Sequence, residues 1–395
     1  MFNIQTLNKI SPIGLKELDG RFAVADDMEN PVGIILRSFK MHDMELPASL
    51  ACIARAGAGV NNIPIDKCTD AGVVVFNTPG ANANAVKELV LASLFLSARK
   101  IYQGINWVQD LAGKDLAIQN DVAGLVEKGK ANFGGTEILS KTIGIVGIGG
   151  AIGLKVANAC HALGMKVIGT DPSDSAKTLA ALHLDIKVFA STDIGAIAGE
   201  CDYISIHAPY MPATKHMFNA ETLKLCKPGA VIINAARAEL VDDEAMKAAL
   251  NAGHIAWYVT DFPNNELLGH DKIITIPHLG ASSEEAEENC AYMASVQMRE
   301  FITKGNVVNS VNFPGAELEG DFVSRRVILF RDDEAESVCK RIQEIFSKRN
   351  KGFSIAYTVK NGLGVIIFGL ATTGCNGACD IIKELPEVIR TREIQ

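Results

Sequence analysis

Four features are missing from this 395-residue chain, and each absence closes off a class of function. No uncharged apolar run reaches the roughly 18 residues that a membrane-crossing helix needs. The first ten residues, Met1 to Ile10, lack the basic-then-apolar order of a secretory leader. Basic residues are outnumbered, 38 Lys plus Arg against 46 Asp plus Glu, for a net charge of −8. A nucleic-acid partner is therefore not expected, because it requires clustered Lys and Arg. An anionic substrate would have to be drawn in by a local basic cluster instead of the global field. The nine cysteines follow neither a zinc nor a disulfide spacing. Cys375 and Cys379 stand four apart, close enough to share a helix face, but no second pair accompanies them, so no metal is expected. Such usage suits a reducing compartment. There is no internal repeat and no low-complexity tract. The expectation is a soluble cytoplasmic protein with neither a membrane nor a nucleic-acid partner.

What is present is material for cores: 48% of residues are hydrophobic, and the length predicts two or three domains. Short apolar runs at Val32–Leu36, Leu50–Ala54 and Val73–Phe76 read as buried strands separated by helical patterns. A long helical pattern, Ala85–Ile101, ends in Arg99 and Lys100, as suits a helix C-terminus. The stretch from Tyr102 to Ser140 is weakly patterned. Beyond it, strands are expected at Thr142–Val146, Lys166–Thr170, Tyr203–His207, Ala230–Asn234, Trp257–Asp261 and Ile273–Ile276, with helices between most of them. This alternation predicts a doubly wound α/β domain. An acidic helix is expected from Ser283 to Lys304, followed by a linker around Pro314 to Gly320. The last 75 or so residues read βαββαβ, with two strands joined at Asn361-Gly362, which is a ferredoxin-like order.

The turn Gly147-Ile148-Gly149-Gly150-Ala151-Ile152-Gly153 lies between a strand and a helix. Bare backbone there allows a tight turn, lets a pyrophosphate approach and lets helix and strand pack closely, while the helix N-terminus faces the negative charge. Asp171 ends the next strand, 18 positions after Gly153. A carboxylate in that place accepts from ribose hydroxyls and repels a ribose phosphate, so NAD is favoured over NADP. The spacing is one residue longer than G-x-G-x-x-G. Either Gly147, Gly149 and Gly153 fill the three roles with an insertion, or Gly150 and Gly153 are the last two.

Three further segments follow predicted strand ends: Asn234-Ala235-Ala236-Arg237, Asp261 to Glu266, and Pro277-His278-Leu279-Gly280. Oxidation of a 2-hydroxy acid needs a base for the hydroxyl proton, a partner to orient that base and a fixed cation for the carboxylate. His278, which titrates near ~6.5 when unperturbed, suits the base. Glu266 suits the partner, and Arg237 the bidentate clamp. Each residue alone is more often structural or a surface charge. Their joint placement after successive strands is what points to chemistry.

With these segments, and with Arg55-Ala56-Gly57-Ala58-Gly59-Val60-Asn61-Asn62, Asn77-Thr78-Pro79-Gly80, Asp171-Pro172 and His207-Ala208-Pro209, the chain resembles the D-isomer-specific 2-hydroxy-acid dehydrogenase family, most closely its phosphoglycerate dehydrogenase branch. The matches run in family order over about residues 30 to 312. The resemblance implies Arg237, Glu266 and His278 as catalytic residues. It implies cofactor contacts from Gly147, Gly149, Gly150, Ala151, Ile152, Gly153, Asp171, His207, Ala208, Pro209, Ala235, Ala236, Asp261 and Gly280, with Asp261 near the nicotinamide amide. Substrate contacts are expected from Arg55 (the candidate phosphate ligand), Ala56, Gly57, Ala58 and Asn77, with Arg37 and Ser38 added. The implied architecture is a substrate-binding domain split between residues 1–100 and 286–314, a Rossmann domain at 101–285 and an ACT-like domain at 321–395. The active site is expected in the cleft. A homodimer or homotetramer, 3-phospho-D-glycerate as substrate and a place in L-serine biosynthesis follow from the same resemblance. Ala238-Glu239, where glycines are frequent, and Lys87 depart from the common pattern.

In the C-terminal segment, the loop Arg331-Asp332-Asp333-Glu334-Ala335 lacks the glycine of serine-sensing relatives and is acidic. Oligomer assembly without strong serine inhibition is therefore expected. Two alternatives stand beside the main reading: another D-2-hydroxy-acid dehydrogenase, such as a hydroxypyruvate or glyoxylate reductase, and a dinucleotide-sensing, corepressor-like binding protein.

Overall fold

A computed structural model describes residues 1–113, 121–172, 180–183 and 185–395. Residues 114–120 of the weakly patterned stretch lie outside the described residues. The chain divides into two compact units, Met1–Asn82 with Glu284–Gln395, and Ala83–Ser283.

The first unit holds two sheets. Strands β1 (Phe2–Leu7), β2 (Phe22–Ala25), β3 (Gly33–Leu36), β4 (Cys52–Arg55) and β5 (Val74–Phe76) form a parallel sheet of order β2-β1-β3-β4-β5. Buried Ile34, Ile35, Ile53 and Ala54 make the inner strands β3 and β4 apolar on both faces, as a parallel sheet covered on both sides requires. The Glu284–Lys304 helix returns to this unit and buries Ala291, Ala294, Met298 and Phe301 in a core shared with Ile4 and Phe76.

Strands β13 (Ser324–Arg331), β14 (Ser354–Lys360), β15 (Leu363–Leu370) and β16 (Val388–Ile394) make the second, antiparallel sheet, of order β14-β15-β13-β16. The strands and the Ala335–Arg349 and Ala378–Lys383 helices run βαββαβ. Asn361 and Gly362 both take positive φ, 52° and 74°, in the two-residue turn that joins β14 to β15. One face of the sheet packs Ile328, Phe330, Ile366 and Phe368 beneath its own helices. The other sends Val327, Leu329, Val365 and Ile367 into the core of the five-stranded sheet.

The second unit is a seven-stranded parallel sheet of order β12-β11-β10-β9-β6-β7-β8. Its strands are β6 (Thr142–Val146), β7 (Lys166–Asp171), β8 (Lys187–Ala190), β9 (Tyr203–Ile206), β10 (Ala230–Asn234), β11 (Ile255–Thr260) and β12 (Ile273–Thr275). The order reverses between β6 and β9, which creates the switch point where ligands of open α/β sheets bind. The long helix expected at 85–101 runs Ala83–Arg99, and its Val86, Val90, Leu94 and Ala98 join the core of this unit. No helix among the described residues is long and apolar enough to cross a membrane.

Candidate active site

After β6 the chain turns at Gly147, whose φ is 83°, a left-handed value that favours glycine. A Cβ there would lie 2.9 Å from the His207 carbonyl carbon and oxygen, and one on Gly153 would lie 2.2 Å from the Gly147 carbonyl oxygen. On Gly149 it would meet the Asp171 carboxylate at 2.8 Å, and the Gly149 N–H donates to Asp171 Oδ2 at 2.9 Å. On Gly150 it would meet only the Gly147 oxygen, at 3.4 Å. Backbone crowding thus requires glycine at Gly147 and Gly153, while at Gly149 a Cβ would displace the Asp171 carboxylate. Gly150 is the N-cap of the Ala151–Ala162 helix, and the extra residue lies just ahead of that helix.

The site fits a dinucleotide pyrophosphate. Gly150 provides no side-chain cap, and the first intrahelical bond comes from the Leu154 N–H to Gly150, so the first-turn N–H groups are left for an anion. His207, just beyond β9, bonds Ser205 Oγ through Nε2 at 2.9 Å, and its buried Nδ1 has no partner among the described residues. Burial pulls its imidazole down to about 3. Ala208, half-buried, and Pro209, exposed, follow it.

Past β10, fully buried Asn234 shapes the next turn. Its Nδ2 donates to the Arg237 carbonyl at 2.9 Å and to Tyr258 Oη at 3.3 Å, and its Oδ1 accepts from the Ala236 N–H at 3.1 Å. Ala235 and Ala236 are held half-buried, and Arg237 is exposed. The Arg237 Nη1 donates to the Ala236 carbonyl at 2.6 Å, and among the described residues Arg237 makes no ion pair. Asp261, 2% exposed at the end of β11, accepts from the Leu279 and Gly280 N–H groups at 2.7 and 2.8 Å and so ties that strand end to the Pro277–Gly280 turn. Burial raises its carboxyl from the ordinary value, against the pull of those amides. His278 sits in that turn at φ 55°, an uncommon conformation for a residue with a Cβ. Its exposed ring stands edge-on to Phe262 at 5.0 Å.

Glu266 projects from a turn in which Asn264 Oδ1 accepts from the Glu266 and Leu267 N–H groups, while Asn264 Nδ2 donates to Asp243 at 2.6 Å. Its carboxylate pairs with Lys247 Nζ at 2.7 Å, and Lys247 is also 2.7 Å from Glu244. That hydrogen bond lowers the Glu266 carboxyl from its usual value. No hydrogen bond among the described residues joins Glu266 to His278, so the acid–base pair expected from the sequence is not formed in this structure. Sequence reasoning missed Lys247. Its one signal was the spacing from Glu244, three residues earlier on the same helix.

In the first unit, Arg55 ends β4 and its Nε donates to the Arg37 carbonyl at 3.1 Å. A Cβ on Gly57 would lie 2.1 Å from Arg55 Nη1, so the glycine leaves the room that the guanidinium fills. Asn77 Nδ2 donates to the Ala58 carbonyl at 2.7 Å, and the Ala56 N–H donates to the Leu36 carbonyl at 2.8 Å. Arg55, Ala56, Gly57, Ala58 and Asn77 are thereby gathered at the carboxyl edge of the five-stranded sheet. The Arg37 guanidinium is taken by Glu287, and the Ser38 N–H by Asn8 Oδ1 at 3.1 Å.

Residues 91–280 match the family described as D-isomer specific 2-hydroxyacid dehydrogenase, NAD binding domain. D-3-Phosphoglycerate dehydrogenase of Rattus norvegicus is 32% identical over 295 residues, 72% of this chain and 51% of that protein. The enzyme of the same name from a Synechocystis species is 32% identical over 321 residues, 79% of this chain and 54% of its own length. The chain thus spans about half the length of the curated relatives it matches. Among solved structures, NAD+-bound 3-phosphoglycerate dehydrogenase of Entamoeba histolytica is 25% identical with a TM-score of 0.62, covering 79% of this chain and 98% of that one. A Thermus thermophilus protein, 24% identical with a TM-score of 0.64 and covering 78% and 100%, shares the fold. The strand order, the glycine turn and these matches agree, and the chain belongs to the D-isomer specific 2-hydroxyacid dehydrogenase family.

Proposed function

We propose that this protein is an NAD-dependent D-3-phosphoglycerate dehydrogenase, oxidising 3-phospho-D-glycerate to 3-phosphohydroxypyruvate in the first step of L-serine biosynthesis. The observation that carries this reading is the placement of Arg237, Glu266 and His278 beyond successive strand ends of the sheet that bears the glycine turn. Relatives named for that reaction support it.

NAD, when bound, supplies the acceptor for the hydride that leaves C2 of the substrate. Arg237, which pairs with no carboxylate among the described residues, clamps the C1 carboxylate through two N–H groups and polarises the oxygen on C2 as it becomes a carbonyl. The His278 imidazole takes the C2 hydroxyl proton. Glu266 stabilises the resulting imidazolium once its carboxylate exchanges Lys247 for His278. Asp171 accepts from the ribose hydroxyls, and the first turn of the Ala151–Ala162 helix holds the pyrophosphate. Arg55 holds the substrate phosphate, while Arg37 contributes through its backbone carbonyl to Arg55.

Under this reading residues 1–100 and 286–314 serve the substrate, 101–285 serve NAD and 321–395 form an ACT-like module. Exposed Ile101, Tyr102 and Ile105 on the Ile101–Asp110 helix offer an apolar face for a homodimer. Nine free cysteines support a cytoplasmic setting.

The test follows NADH absorbance with 3-phosphohydroxypyruvate beside hydroxypyruvate and pyruvate. Preference for the phosphorylated acid, lost in Arg55→Ala, is the expected result. Equal turnover of the unphosphorylated acids would make the protein a general hydroxy-acid dehydrogenase. NADH binding without turnover of any acid would make it a sensor.

A further inference from the structure

Seven of the nine cysteines are buried, and only Cys375 and Cys379 are partly open to solvent. Cys375 lies in the turn between β15 and the Ala378–Lys383 helix of the antiparallel part, and Cys379 lies in the first turn of that helix. This turn is held from several sides. Ser324 Oγ donates to the Thr372 carbonyl at 2.6 Å, and Asn350 Nδ2 donates to the Cys375 carbonyl at 3.1 Å. The Arg326 guanidinium donates to the Thr373 carbonyl, and the Ala378 N–H bonds the Cys375 carbonyl at 2.9 Å. Asn376 and Gly377 both take left-handed φ, 47° and 69°, which turns the chain from Cys375 into the helix that carries Cys379.

The Cys375 sulfur faces the Cys379 thiol, the Cys379 backbone N–H and the Arg326 guanidinium, all of which favour its thiolate. Arg326 is 4% exposed, and its Nε has no partner among the described residues. Its ion pair is with Glu393, at 2.9 Å on a half-exposed side chain. A buried guanidinium against one member of a thiol pair is the arrangement that stabilises a thiolate. Burial raises the Cys375 thiol, but the Cys379 and Arg326 contacts outweigh it and leave the thiol below its usual value. Burial pushes Cys379 up to about 12. Every other cysteine with a resolved shift is raised by burial.

We infer that Cys375 and Cys379 form a thiol-modification site for hydroperoxides, with Cys375 the attacking sulfur and Cys379 the resolving one. In the first step the Cys375 thiolate attacks the terminal oxygen of the hydroperoxide. An S–O bond forms and the O–O bond breaks. Cys375 is oxidised to a sulfenic acid, and the peroxide is reduced to an alcohol, or to water from hydrogen peroxide, that takes a solvent proton. In the second step the Cys379 sulfur attacks Cys375. An S–S bond forms, the S–O bond breaks and the Cys379 proton leaves with the hydroxide as water. Two thiols and one hydroperoxide thus give a disulfide, an alcohol and water.

The native full-length protein is first treated at neutral pH with limiting iodoacetamide and mapped by peptide mass. Cys375 is expected to alkylate at least tenfold faster than Cys379 and the seven buried cysteines. Hydrogen peroxide is expected to remove two titratable thiols and give a Cys375–Cys379 cross-linked peptide that dithiothreitol reverses. In Cys379→Ser a dimedone adduct is expected at Cys375, and in Cys375→Ser none at Cys379. Arg326→Gln should slow Cys375 alkylation about tenfold. Should that variant fail to fold, the alkylation order of the unaltered protein still decides. Cys375 alkylating no faster than Cys379, or peroxide leaving the two thiols uncrosslinked, would overturn the inference.

Discussion

Gly153→Ala tests the dinucleotide turn at its tightest point. The new Cβ would lie 2.2 Å from the Gly147 carbonyl oxygen and 2.8 Å from Ile148 Cα. Both atoms are backbone, so no side chain can rotate away. Restoring ordinary contact near 3.4 Å requires an opening of about 1.2 Å between the helix start and the turn. Overpacking of this kind costs about 1–3 kcal/mol, and the gain in helix propensity returns about 1 kcal/mol. The net loss, up to about 2 kcal/mol, lowers the melting temperature by up to roughly 8 °C for a unit of this size. The larger effect falls on ligand geometry. A displacement of about 1 Å in a positioned site costs on the order of 100-fold, here read as NADH affinity. Gly150→Ala is the control, because its Cβ meets nothing closer than 3.4 Å and its φ is −72°. NADH titration by fluorescence, paired with thermal unfolding, should show Gly153→Ala crippled and Gly150→Ala within about twofold of the parent. The opposite order would refute the assignment of glycine roles.

Three more outcomes follow from the site. Lys247→Met removes the cation that lowers the Glu266 carboxyl, so the acid limb of the kcat/KM profile should move to higher pH, and an unmoved limb would separate Lys247 from catalysis. His207 is held neutral down to about 3. The unfolded chain therefore binds one more proton between about pH 6.5 and 3, and stability should fall as pH drops through that window. His207→Gln should flatten this fall in denaturant titrations at pH 7 and pH 5, and an unchanged slope would count against it. L-Serine at millimolar concentration should leave the rate unaltered, because the pocket of about 390 Å³ beside the Asp332–Glu334 loop sets three carboxylates, Asp333, Glu334 and Glu336, against the single cation Lys340. Serine halving the rate would show that the loop accepts an amino acid's carboxylate after all.

The central strands were legible because burial on both faces writes continuous apolar runs. Thr142–Val146 and Ala230–Asn234 stand where the residues placed them. Strand β1 was not legible, since Phe2-Asn3-Ile4-Gln5-Thr6-Leu7 is half-buried and two amides interrupt it. Strand β8, Lys187–Ala190, is an edge strand with three exposed residues of four and carries almost no pattern. The residues of the candidate site could be named from strand-end positions, but their pairings could not. The Glu266 carboxylate lies with Lys247 and the Arg37 guanidinium with Glu287, contacts set by helix packing 19 and 250 residues away in sequence. The choice between two glycine registers likewise turned on carbonyl positions that no spacing encodes.

The chain path also sets an order of events during synthesis. Residues 83–283 are contiguous and can close their seven-stranded sheet as they leave the ribosome. Residues 1–82 cannot finish in the same way, because their core needs the helix that begins at Glu284 and the sheet face carrying Val327 and Ile367. Arg390 of the last strand donates to the Leu50 and Ala48 carbonyls, and Arg392 to those of Phe301 and Ile302. Roughly 300 residues separate Asn82 from that strand, which at bacterial-to-eukaryotic elongation speeds is about 15–60 s. For that interval the first segment to emerge waits with an incomplete interior, a natural client for a holding chaperone, while the segment made after it is already folded.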